Sequence, residues 1–136
     1  VQYGLEDPKP APPNTWIGNV LDLVSAENEI CAVVEGGGVE CRVSRYGERF
    51  DPPPGEITGV RALSLSDQHG CAVLESGEVS CWGVNAEGQL GRGRNSRPYA
   101  AVVAGLPKMS KVIATRGATC ALDQSGQAWC WGSLGE

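Results

Sequence analysis

Six cysteines stand at positions 31 and 41, 71 and 81, and 120 and 130, so a single spacing of ten residues occurs three times. A repeat of this kind constrains the fold more than any other feature of the chain. Each pair encloses an apolar run, a glycine-bearing turn and a second run: Ala32 to Glu40, Ala72 to Ser80 and Ala121 to Trp129. This is the pattern of a β-hairpin. In the second unit Glu75-Ser76-Gly77 suits a three-residue loop with glycine in the left-handed position, and Gly126 repeats it in the third. That loop fixes the register, setting Cys71 opposite Cys81, Val73 opposite Val79, Val33 opposite Val39 and Leu122 opposite Ala128. Cysteines opposed on antiparallel strands fall within the roughly 4.4 to 6.8 Å between Cα atoms that a disulfide spans, so three intra-hairpin disulfides are predicted. A zinc site is the rival reading, but its cysteines usually lie two to four residues apart on loop knuckles. Reduced buried thiols are the plainer alternative, and the threefold spacing argues against them. Disulfides imply an oxidising compartment, extracellular or periplasmic.

The chain of 136 residues suits one domain, and 19 glycines with 9 prolines make it rich in turns. Its net charge of -5 disfavours a nonspecific grip on nucleic acid or on an anionic membrane. The longest apolar stretch, Ala100 to Ala104, is far below the roughly 20 residues of a spanning helix, so no membrane insertion is expected. Strands are expected at Val20 to Val24, Val60 to Leu65 and Lys111 to Thr115, each preceding a cysteine hairpin, with no helix. Proline-rich Asp7 to Asn14 and Asp51 to Gly55 read as connectors.

After the second hairpin comes Cys81-Trp82-Gly83-Val84-Asn85-Ala86-Glu87-Gly88-Gln89-Leu90-Gly91. With the preceding Cys-Ala-Val-Leu-Glu-Ser-Gly, this resembles the regulator of chromosome condensation repeat, in the paired-cysteine form of secreted bacterial members. The third unit matches through Cys120 to Gly132, while the first has Arg42 where the others have Trp82 and Trp131. The resemblance implies an all-β fold of antiparallel, four-stranded β-propeller blades. Three repeats are expected, at about residues 16–59, 60–107 and 108–136. Val1-Gln2-Tyr3-Gly4 lines up with Gly88-Gln89-Leu90-Gly91, so residues 1–15 are expected to complete a blade and the unit reads as circularly permuted.

No catalytic constellation, cofactor site or metal site emerges. The chain has one histidine, and Ser66 and Asp67 lie too close to it in sequence to converge on it from separate elements. His69 therefore reads as a hydrogen-bonded loop residue. Gly36-Gly37-Gly38 lacks the lysine and the strand-to-helix setting of a phosphate loop, and Arg92 with Arg94 reads as a solvated basic turn. The expectation is a noncatalytic extracellular module that binds a protein partner through the loops before each hairpin: Glu27, Asn28 and Glu29; Asp67, Gln68 and His69; and Arg116. These loops emerge on one propeller face and differ in chemistry while the hairpins repeat. The alternative is a structural subunit that self-associates, as a homo-oligomeric ring or an extracellular filament, through complementary chain ends.

Overall fold

The computed structural model describes residues 19–26, 29–43, 57–93 and 100–134. Ten strands form three antiparallel sheets, with no helix among the described residues. The first sheet joins β1 (Val20–Ala26), β2 (Glu29–Val34) and β3 (Val39–Val43). The second joins β4 (Val60–Leu65), β5 (His69–Leu74), β6 (Val79–Gly83) and β7 (Ala101–Val102). The third joins β8 (Met109–Thr115), β9 (Ala118–Asp123) and β10 (Ala128–Gly132). The expected strand Val60 to Leu65 is reproduced, and the other two are longer, by two residues at Ala26 and by two at Met109. The proline-rich connectors and Val1 to Gly4 lie outside the described residues.

The hairpin register is the one the loops dictate: Cys31 faces Cys41, Cys71 faces Cys81 and Cys120 faces Cys130. All three pairs are disulfides. At each tip a backbone bond closes the loop: Val34 N–H to Gly38 O, Leu74 N–H to Glu78 O, and Asp123 N–H to Gln127 O. Antiparallel ladders alternate, so three positions further along each cysteine pair falls at a non-hydrogen-bonded site, where Cα atoms come closest. The observed Cα separations of 4.0, 4.1 and 4.1 Å lie just below the expected range for that reason. Gly77 and Gly126 have φ of 90° and 96°, the left-handed conformation the three-residue loop requires.

Because side chains alternate along a strand, each disulfide projects from one sheet face. The first sheet turns Cys31 and Val33 onto Val60, Leu63, Ala72 and Trp82 of the second. The second turns Cys71, Val73, Val79 and Cys81 onto Met109, Val112 and Ala121 of the third, with Leu90 and Val103 filling the margin. The core thus lies between sheets, in two layers. Hairpin tips also bind the next sheet, since Val60 N–H donates to Gly37 O and Met109 N–H to Gly77 O.

The apolar run Ala100 to Ala104, too short for a membrane, supplies the fourth strand of the second sheet. Strand β7 pairs Ala101 with Cys81 and Val102 with Ser80. Arg92 secures this edge, its Nη1 donating to Cys81 O at 2.6 Å and Ala101 O at 2.8 Å. The solvated-turn reading of Arg92 is thereby corrected: two carbonyl acceptors converge on the guanidinium, and Arg94 lies outside the described residues.

The three disulfides differ in access. Cys71 and Cys81 are wholly buried, whereas Cys130 is exposed. In dilute native protein a mild thiol reductant should therefore open Cys120–Cys130 first and Cys71–Cys81 last, as read by alkylation and peptide mapping. Loss of Cys71–Cys81 ahead of Cys120–Cys130 would contradict the layered packing.

Candidate functional site

One end of the stack gathers the turns between the first and second strands of the second and third sheets. Residues 66–68 join β4 to β5, residues 116 and 117 join β8 to β9, and the loop from Val84 leaves the same end of β6. Glu27 and Asn28 lie outside the described residues. Asp67 and Arg116 approach across the gap between the second and third sheets, with Oδ2 and Nη1 3.9 Å apart. Arg116 is 78% exposed, so this ion pair contributes little stability and leaves both charges open to a ligand. Gln68 is half-buried and accepts a hydrogen bond from Gln89 Nε2 at 3.1 Å.

The other two predicted residues lie beneath the surface. His69 is 1% exposed and Glu29 5%, so their side chains sit under the loops. His69 Nε2 lies 2.6 Å from Thr119 Oγ1 of the next sheet, and Thr119 Oγ1 donates to Gln89 O at 2.7 Å. Since Thr119 spends its proton on that carbonyl, it accepts from His69 Nε2–H. The other ring nitrogen, Nδ1, is then an acceptor and shares the Ser66 Oγ proton, 3.1 Å away, with His69 O at 3.2 Å. Ser66 and His69 meet within one tight turn and not from separate elements. The pair holds structure: Ser66 Oγ accepts the N–H of Gln68 and of His69, and the ring is enclosed by Thr119. Gln89 O receives a second donor, Trp131 Nε1 at 2.9 Å, which ties the loop after β6 to the third sheet.

Sequence reading missed Thr119, because its counterparts by register are Gly70 and Ile30 and nothing repeats there. Gln89 and Leu90 were visible only as parts of a motif; both are wholly buried. The carboxylate of Glu29 lies within 4.8 Å of the Cys31 and Cys41 sulfurs. Those sulfurs are bonded to each other, so the trio offers no thiolate to a metal. At the opposite end, Asp123 is held well below the usual carboxylate range, chiefly by the Trp129 indole N–H and also by Ser125 and Gln127, which closes the third hairpin tip.

Residues 60–89 match the regulator of chromosome condensation (RCC1) repeat, a stretch running from the start of β4 to the buried Gln89. The chain carries an RCC1-type repeat. Solved structures agree in fold. Human WBSCR16 superposes with a TM-score of 0.71 at 14% identity over 90% of this chain and 35% of that one. Yeast RCC1 (Prp20), in its complex with Kap60, gives 0.64 at 16% identity over 84% and 32%. The ectodomain of the Physcomitrella patens receptor kinase CR4 gives 0.61 at 19% identity over 90% and 32%. The chain spans about a third of the length of these proteins, and its sheets are β-propeller blades like theirs. In the RCC1-type repeat Trp82 lies over Gly70 of its own blade and packs with Cys31 and Val33 of the blade before, while Gln89 and Leu90 plug the seam with the next blade.

Burial lowers the His69 pKa from 6.5 to about 4, against the pull of Asp67. A depressed histidine contributes stability that is complete above pH 6.5 and is lost as pH falls toward 4, because the unfolded chain takes the proton first. Protonation also puts a hydrogen on Nδ1 opposite a hydroxyl that already accepts two. Over that window the wild type should lose up to roughly 3 kcal/mol relative to His69→Gln, which has no proton to gain. Urea melts of both proteins at several pH values measure this, and parallel curves would contradict the neutral network.

Proposed function

We propose that this chain is a noncatalytic, extracellular binding module that contacts a protein partner through the loop end of its blades. The observation that carries the reading is the contrast across that end. Beneath lies the closed Ser66–His69–Thr119–Gln89 network; above it stand the exposed, oppositely charged Asp67 and Arg116 and the half-buried Gln68. A rigid base with variable exposed groups suits recognition, because little loop entropy is lost on binding. Glu29 and His69 take part as supports that set the loop positions.

Three further points support this reading. Every hydrogen bond of the Ser66–His69 pair is used in holding the fold. Three disulfides suit an oxidising location outside the cytosol, and no described helix is long and apolar enough to cross a membrane. Yeast Prp20, of the same fold, has been crystallised with Kap60 and examined for binding to Gsp1p and histones.

A photo-crosslinking residue placed at Gln68 or Arg116 should capture a discrete protein from extracellular fluid of the source. The same residue at Ser76 or Ser125, on the hairpin tips at the opposite end, should not. Asp67→Lys with Arg116→Glu should abolish the capture while changing stability by no more than about 0.5 kcal/mol, since both side chains are on the surface. Equal labelling from both ends would overturn the loop-end reading.

A further inference from the structure

The seam between the second and third blades is fastened differently at its two ends. At the hairpin-tip end Met109 N–H donates to Gly77 O, and Arg61 Nη2 donates to Met109 O at 3.0 Å. Between β4 and β8, Ala114 N–H donates to Ser64 Oγ at 2.9 Å. None of these groups gains or loses a proton in the range where a histidine titrates. At the loop end the fastening runs through His69, whose ring meets Thr119 beside the Gln89 carbonyl that also takes the Trp131 indole N–H.

The surroundings of that ring suit only its neutral form. A hydroxyl offers one proton and two lone pairs. Ser66 Oγ uses both lone pairs on the N–H groups of Gln68 and His69, at 3.1 and 3.0 Å, and its proton on His69 Nδ1 and His69 O. A proton on Nδ1 would therefore point at an oxygen with no lone pair left for it. Either the turn gives up a backbone bond or the ring leaves. Among the described residues, the charged groups at this end of the seam are Asp67 on the same turn, Arg116 on the turn of the third blade, and Glu87, whose side chain lies against Gly117. Strand β9 brings Thr119, which does not titrate, and Cys71 is held in its disulfide. Glu29 takes the matching position in the first blade and by register lies beyond the other face of the second sheet. The way out thus leads to Asp67, which attracts the proton on the ring and is only loosely paired with Arg116 at 3.9 Å.

We propose that this seam is an acid-opened latch: a proton on His69 swings the ring out of the seam to Asp67, displacing Arg116, and the two blades part at the loop end while the Met109 and Ala114 contacts hold as a hinge. The device belongs to the fold and goes beyond the loop-end binding reading, which it does not need. In acid an imidazolium then stands on a surface that at neutral pH covers a buried, neutral ring, so a contact made there changes with pH. The sign follows from burial. A ring that takes a proton near pH 6.5 when free and near 4 when enclosed favours the open seam as pH falls, and the open population should grow by up to about 300-fold between those values.

Site-resolved hydrogen exchange by NMR at pH 7 and pH 4, expressed as protection relative to an unstructured peptide at the same pH, tests this. Protection of the Trp131 indole N–H should fall by up to about 300-fold in acid, while that of the Met109 N–H stays level. His69→Gln should remove the response, and Asp67→Asn, a change at the surface, should weaken it with folding intact. The wild type at pH 7 should also show the Nε2–H tautomer in its ring nitrogen shifts, a measurement that needs no variant. Equal loss of protection at Trp131 and Met109 overturns the proposal, as does no loss at either. So does a His69→Gln variant that still responds, an Asp67→Asn variant that responds as fully as the wild type, or an Nδ1–H tautomer.

Discussion

The structure depends on where the ladder alternation puts the cysteines. Three residues back from each closing bond the facing pair is non-hydrogen-bonded, its Cα atoms about 4 Å apart, and its side chains leave the sheet on one face. The disulfide is thus both a covalent staple and part of the blade's packing surface. Val33, Val73 and Leu122 lie two positions away on the same face, so the apolar stripe and the bridge point the same way in every unit. Direction follows from that. Each blade has a front and a back, and successive blades stack front to back.

Much of this was legible because it is local. A spacing of ten with a glycine in the loop fixes a register, and the register fixes faces. What escaped was whatever depends on residues some fifty positions apart meeting across a seam. Thr119 looks like any polar strand residue until His69 of the preceding blade is seen 2.6 Å away. His69 and Glu29 looked like loop residues because they sit beside turns, yet each begins a strand and faces the following blade, which buries it. Arg92 resembled a solvated cation because no pattern announces two carbonyl acceptors converging from β6 and β7.

The candidate site was half legible for the same reason. Asp67, Gln68 and Arg116 follow from counting back from the cysteines, and they do share one end. That the end is rigid is a property of the layer below, where one buried carbonyl, Gln89 O, collects donors from Thr119 and Trp131. A buried acceptor left without them would cost roughly 1 to 3 kcal/mol, so the motif loop, the third blade and the His69 turn hold one another in place.

The glycine at each hairpin tip carries a record of its neighbour. All three adopt positive φ, at Gly37, Gly77 and Gly126. A Cβ at Gly37 would lie 2.6 Å from Gly59 N, and one at Gly77 would lie 2.9 Å from Lys108 Cβ, whereas one at Gly126 meets nothing within 4 Å. The first two positions answer to both backbone conformation and the following blade, the third to conformation alone. Asparagine, which tolerates a left-handed backbone, meets the conformational requirement and fails the one set by the following blade. Tolerance of asparagine at position 126 is therefore a one-residue reporter of whether that tip stands free, and it would disappear wherever a further blade lies against it.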